Sequence, residues 1–139
     1  MTYGKPLSTR SHDNLDKELK IVRRADYDPQ YRPPAPWCDQ YSAPGPNLKD
    51  CNRAFYNLGF VNGMLNSPNS VVSTTYGNCR MEVKCGGSPV KVSAGRLLND
   101  VDYNKSGGYS SLSNTCLAKG FRGSIFVNGG CKIEVWRAW

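Results

Sequence analysis

Six cysteines, Cys38, Cys51, Cys79, Cys85, Cys116 and Cys131, constrain this chain more than any other feature. None forms a C-x-x-C pair, so zinc ribbons and thioredoxin-like sites find no support. An even number of cysteines, spread through Gly-, Asn- and Ser-rich sequence, reads as three disulfides in a secreted protein. With 139 residues, the chain is long enough to bury a single core. Many pairings are open to six cysteines, and local geometry removes one. In Asn78-Cys79-Arg80-Met81-Glu82-Val83-Lys84-Cys85, apolar residues and cysteines alternate with charged ones, the pattern of a half-buried strand. Cys79 and Cys85 then share the inner face roughly 20 Å apart, too far to bond. Each must reach another element, as in a sheet stapled to its covering helices.

The N-terminal quarter has a different character. Residues 1–24 hold no cysteine, six of the 18 basic residues, three of the 11 acidic residues and the lone histidine, His12. Asp13 is placed to cap a short helix with Leu15, Leu19 and Val22 on one face. The segment ends in Arg23-Arg24, a dibasic pair like those cut by kexin-type secretory proteases, and 1–24 is read as a removable pro-segment. Its loss would leave a net charge of +4 in place of +7, and no histidine. No apolar signal-peptide core follows Met1, so the leader is expected to have been removed. Residues 25–37, with Pro29, Pro33, Pro34 and Pro36, read as an extended proline-stiffened arm. Asn104-Lys105-Ser106 is a glycosylation sequon, consistent with export.

Residues 38–139 read as one cysteine-rich domain. A helix is expected from Asn47 or Asp50 to about Asn62, with Leu48, Cys51, Phe55 and Leu58 on its inner side. Strands are expected at Val71–Thr75, Cys79–Cys85 and Val90–Val92. Ser93 would cap a helix carrying Leu97, Leu98 and Val101, a polar loop would span Asn104–Ser110, and Leu112, Cys116 and Leu117 mark another short helix. Ser124–Val127 and Cys131–Trp136 flank Asn128-Gly129-Gly130, a hairpin with a glycine-rich turn. This order gives an α+β fold: a disulfide-stabilised antiparallel sheet with two or three helices packed on one face.

The chemistry is narrowed by what is missing. Ser-His, Cys-His and histidine-dependent ribonuclease mechanisms need a histidine base, and His12 lies in the expected pro-segment. Glu82 and Glu134 point away from the core and are the pair on which a carboxylate hydrolase would depend. Asp100-Val101-Asp102-Tyr103-Asn104 opens like a calcium loop but continues with Lys105 and Ser111 where glycine and glutamate are required. The glycine-rich stretches lack a phosphate-loop pattern. No cofactor and no metal site are expected. Arg80, Lys84 and Lys91, extended by Arg96 and Arg122, are read as a basic strip on the exposed sheet face. Trp136 stands opposite the Ile133/Val135 face and is a candidate partner contact. Glu82 and Glu134 interrupt the strip, which argues against nucleic acid and for an anionic cell surface or wall polymer. No apolar run is long enough to cross a bilayer, so stable membrane insertion is not expected.

Several motifs carry a resemblance. Trp37-Cys38, Lys49-Asp50-Cys51, Thr75-Tyr76-Gly77-Asn78-Cys79, Leu97-Leu98-Asn99-Asp100-Val101, Cys116 and Gly129-Gly130-Cys131 follow one another in an order that resembles the fungal necrosis-inducing, killer-toxin-like group of small secreted effectors. The resemblance covers residues 37–139. It implies a disulfide-bonded α/β sandwich, export by a fungus into the extracellular space or host apoplast, and action as a monomer on a host plant or competitor cell target. It transfers structural cysteines rather than a catalytic site. The expected function is a virulence or toxin-like effector that acts by binding, without enzymatic activity. A carbohydrate- or cell-wall-binding module is the alternative.

Overall fold

The computed structural model describes residues 31–40, 44–100 and 107–138. The expected pro-segment with Arg23 and Arg24, the sequon at Asn104 and the helix position Val101 lie outside the described residues. Seven strands and three α-helices are described: β1 (Trp37–Asp39), α1 (Leu48–Tyr56), β2 (Met64–Ser67), β3 (Val71–Tyr76), β4 (Cys79–Lys84), β5 (Val90–Ser93), α2 (Ala94–Asn99), α3 (Gly108–Thr115), β6 (Arg122–Val127) and β7 (Cys131–Arg137). A 3-10 turn, Leu117–Lys119, follows α3.

The alternating pattern of residues 79–84 does form a strand. Cys79, Met81 and Val83 are buried, and Arg80, Glu82 and Lys84 face outward. β4 lies inside a five-stranded sheet of order β1-β6-β7-β4-β3 in which every pairing is antiparallel. β6 and β7 make the expected hairpin around Asn128-Gly129-Gly130. The fold is α+β, with a sheet that outweighs its short helices.

Helix α1 starts where Asn47 caps it. The Asn47 side chain accepts the N–H of Asp50 at 3.1 Å. It ends at Tyr56, six residues short of the expected end at Asn62. Gly59 and Asn62 have φ of +104° and +51°, left-handed values that a right-handed helix excludes. The chain instead turns into β2, which the sequence pattern did not signal. β2 pairs with β5 in a separate two-stranded ladder, so Val90–Ser93 does not join the main sheet. Gly108–Ser110, read as loop, begins α3 and is buried.

The core lies between the inner side of the sheet and the helices. Met81, Val83, Ile125, Ile133 and Val135 are buried from the sheet, and Phe55, Leu97, Leu98, Tyr109 and Leu112 from the helices. The Phe55 and Tyr109 rings stack at 4.7 Å between centroids. The Tyr109 hydroxyl donates to Asn52 Oδ1 at 2.6 Å, which gives this buried phenol its partner. α1 packs on β3 and β4, α3 on β6, and α2 on α3.

All six cysteines are paired: Cys38–Cys116, Cys51–Cys79 and Cys85–Cys131. Cys79 and Cys85 do reach different elements. Cys51–Cys79 ties α1 to β4, and Cys38–Cys116 ties β1 to the C-terminal cap of α3. The third bond departs from the helix-stapling expectation. Lys84 faces Lys132 across β4 and β7, so Cys85 arrives directly beside Cys131 and joins neighbouring strands.

Candidate functional site

The outward side of the five-stranded sheet is built by simple alternation. Every second residue of each strand faces away from the core, and the register aligns these residues in three rows. One row runs Thr75, Arg80, Trp136, Arg122, Asp39. The central row runs Ser73, Glu82, Glu134, Ser124, Trp37. The third runs Val71, Lys84, Lys132, Phe126. Trp37 is 60% exposed and Phe126 59%.

Glu82 and Glu134 therefore sit directly opposite one another, as their outward positions suggested. Cations surround the pair. Lys84 Nζ lies 3.0 Å from Glu134 and 3.6 Å from Glu82. Lys132 Nζ lies 3.0 Å from Glu134, and Arg80 lies 3.3 Å from Glu82. Partial burial of Glu134 opposes ionisation, but hydrogen bonds from Lys132 and Lys84 outweigh it and hold its carboxyl below the ordinary carboxylate range. The hydrogen bond to Glu134 raises the Lys84 ammonium above its ordinary value. At the far edge Arg122 Nε donates to Asp39 Oδ2 at 2.8 Å. The aromatic rings are held by cations as well: the Arg80 guanidinium lies 5.8 Å from the Trp136 ring centre, and the Lys132 ammonium 5.2 Å from that of Phe126.

Trp37 and Trp136 flank an open depression of about 290 Å³. Arg122 and Glu134 supply its polar lining, and Gly123 and Val135 complete it. Ser124 lies between Trp37 and Glu134 in the central row.

Of the residues read as a binding strip, Arg80, Lys84, Trp136 and Arg122 share this face. Lys91 and Arg96 do not extend it. Lys91 stands on β5 in the second ladder, and both residues line another depression of about 360 Å³ with Met64, Ser93 and Asn128. Several residues of the face escaped the sequence reading, among them Lys132, Phe126 and Trp37. Phe126 alternates with Ile125 and Val127, so period two would have found it. Trp37 falls at the end of the proline-rich arm, and nothing local marks it as a strand residue of this face.

Asp100, expected near the end of the helix that carries Val101, instead follows its last residue, Asn99, and is a buried junction. Its Oδ1 accepts the N–H of Asn128 at 3.0 Å and lies 3.4 Å from Arg96. Its Oδ2 accepts the Tyr31 hydroxyl at 2.8 Å, which fastens the proline-rich arm to the domain. Among the described residues, no group of three or more His, Cys, Asp or Glu side chains is placed to hold a metal ion. No described helix is long and apolar enough to cross a membrane. Three disulfides are typical of extracellular proteins. No family model matches the chain, and no curated protein or solved structure matches it.

Proposed function

We propose that the protein is a secreted effector of the fungal necrosis-inducing, killer-toxin-like kind. It is matured by cleavage after Arg24, folds as a two-layer α/β sandwich, and acts on a host plant or competitor cell by binding rather than catalysis. The binding surface is the outward face of the five-stranded sheet. The observation that carries this reading is the face itself: Trp37 and Phe126 stand exposed, and Trp136 half-buried, among a lattice of ion pairs. Exposed aromatic groups beside ordered charges are the usual chemistry of a recognition surface.

The state of the carboxylates supports binding over hydrolysis. A glycosidase general acid needs a raised pKa, whereas Glu134 is held low and both glutamates are engaged by cations. The carbohydrate-binding alternative is favoured by one specific observation, the depression between two tryptophans.

The test applies the oxidised protein, beginning at Ala25, to leaf tissue and to competitor fungal cells. Cell death or growth arrest is expected. Arg80→Glu and Phe126→Ala should abolish it while circular dichroism stays unchanged, and Lys119→Ala, on the 3-10 turn, should leave it intact. Full activity in both face variants would overturn the reading.

A further inference from the structure

The depression between Trp37 and Trp136 has the chemistry of a sugar subsite. From the sheet spacing, the two tryptophans are two strands and two residues apart, roughly 12 Å between Cα atoms. That separation suits alternate units of an extended glycan, because adjacent pyranoses lie only about half as far apart. An equatorially substituted pyranose presents an apolar C–H face, which packs on an aromatic ring, and a hydroxyl rim, which needs donors and acceptors. Both are present. Trp37 is largely exposed on one side, Trp136 lines the other, and Glu134 and Arg122 offer an acceptor and a donor between them. The volume, about 290 Å³, accommodates a sugar ring.

Charge decides against a polyanion. The four cations of the face, Arg80, Lys84, Lys132 and Arg122, are each within ion-pair distance of Glu82, Glu134 or Asp39. The surface is close to electrically balanced, so a phosphate or uronate chain would have to displace existing pairs. A neutral polyhydroxylated ligand need not. Its hydroxyls add to carboxylates and guanidinium groups that ion pairing has already ordered.

We propose that this depression binds an uncharged β-(1→4)-linked oligosaccharide, one pyranose packing on Trp37 and the next unit but one against Trp136, with Glu134 accepting and Arg122 donating to ring hydroxyls. The proposal rests on the open face being the binding surface and names its ligand.

Titration calorimetry of the full oxidised chain with chitohexaose and with cellohexaose tests it, with polygalacturonate as the anionic comparison. Saturable binding of at least one neutral hexasaccharide is expected, and none of polygalacturonate. Trp37→Ala and Trp136→Ala should each weaken it about tenfold, and Glu134→Gln by a similar factor. Lys119→Ala should bind as the parent does. Tryptophan fluorescence should change on titration of the parent and not of the double tryptophan variant. Absence of binding to both hexasaccharides, with cell activity still lost in Arg80→Glu, would overturn the sugar and leave the face. Binding that ignores both tryptophan substitutions would overturn the site. Absence of binding together with full cell activity in Arg80→Glu and Phe126→Ala would overturn both.

Discussion

Asp50 Oδ2 accepts the backbone N–H of Asn78 at 3.1 Å across 28 residues of sequence. Asn78 answers through its side chain, whose Oδ1 accepts the N–H of Asn47 at 2.8 Å. The start of α1 and the β3–β4 turn thus form one clasp, with Cys51–Cys79 beside it. Lys49-Asp50-Cys51 and Gly77-Asn78-Cys79, the motifs that carried the family resemblance, meet here as structural parts.

Gly77 completes the clasp. Its φ is +55°, and a Cβ would be driven into the Asp50 carboxylate. Gly77→Ala should therefore lower the unfolding free energy by about 2 kcal/mol, from backbone strain plus a displaced hydrogen bond. Asp50→Ala should cost about 1–2 kcal/mol through the lost bond and the lost acidic residue at the helix start. Both are read by urea denaturation of the oxidised protein. Because the two substitutions damage the same contact, the double variant should cost less than their sum. Strict additivity would show that Gly77 and Asp50 act separately.

The Tyr31–Asp100 bond gives the arm a pH-dependent fastening. Partial burial, then the hydrogen bond to Asp100, push the Tyr31 phenol from 10.0 to about 12. The folded value is raised, so the contribution is fully present below pH 10, where the unfolded phenol begins to ionise, and is lost as pH rises toward 12. Absorbance at the tyrosinate band should reveal a late-titrating phenol that disappears in Tyr31→Phe. Tyr31→Phe should destabilise the protein by about 1 kcal/mol at neutral pH, since a buried carboxylate loses one donor and keeps Asn128 and Arg96. An unchanged titration curve would show that the phenol does not hold the arm.

Glu134 supplies the opposite pH dependence. Its folded pKa is lowered, so its stabilising contribution is present above the ordinary carboxylate range and fades as pH falls through the lowered value. Solvent screening keeps this small, about 0.5 kcal/mol. Glu134→Gln should show a flatter stability profile below pH 5 (about the upper edge of carboxylate titration), measured as urea midpoints over an acid series. Equal slopes for the two proteins would refute the ion-pair account.

The three disulfides should differ in weight. Cys38–Cys116 closes a separation of 78 residues and Cys51–Cys79 one of 28. On loop-closure entropy the longer bond stabilises by about 1 kcal/mol more. Replacing each pair with alanines and comparing denaturation midpoints checks the order. Removal of Cys38–Cys116 should also release β1, and with it Trp37, from the edge of the sheet. If that variant were the more stable of the two, the edge strand would be held by packing alone.

Much of this protein is legible in short windows of its sequence. The alternation from Cys79 to Cys85 fixes a strand, its inner and outer faces, and the impossibility of a Cys79–Cys85 bond, because side-chain direction in a strand is set by the nearest neighbours alone. The β6–β7 hairpin and the outward direction of Arg80, Lys84, Glu134 and Trp136 follow from the same local rule. The tertiary structure decided what depends on register between distant segments. It set Cys85 beside Cys131, paired Met64–Ser67 with Val90–Ser93, ended α1 at Tyr56, and brought Tyr31 to Asp100. It also placed Trp37 across two strands from Trp136, which turned two unrelated tryptophans into the walls of one depression. Such pairings are chosen by burial of the whole core, and no local stretch of sequence carries that information.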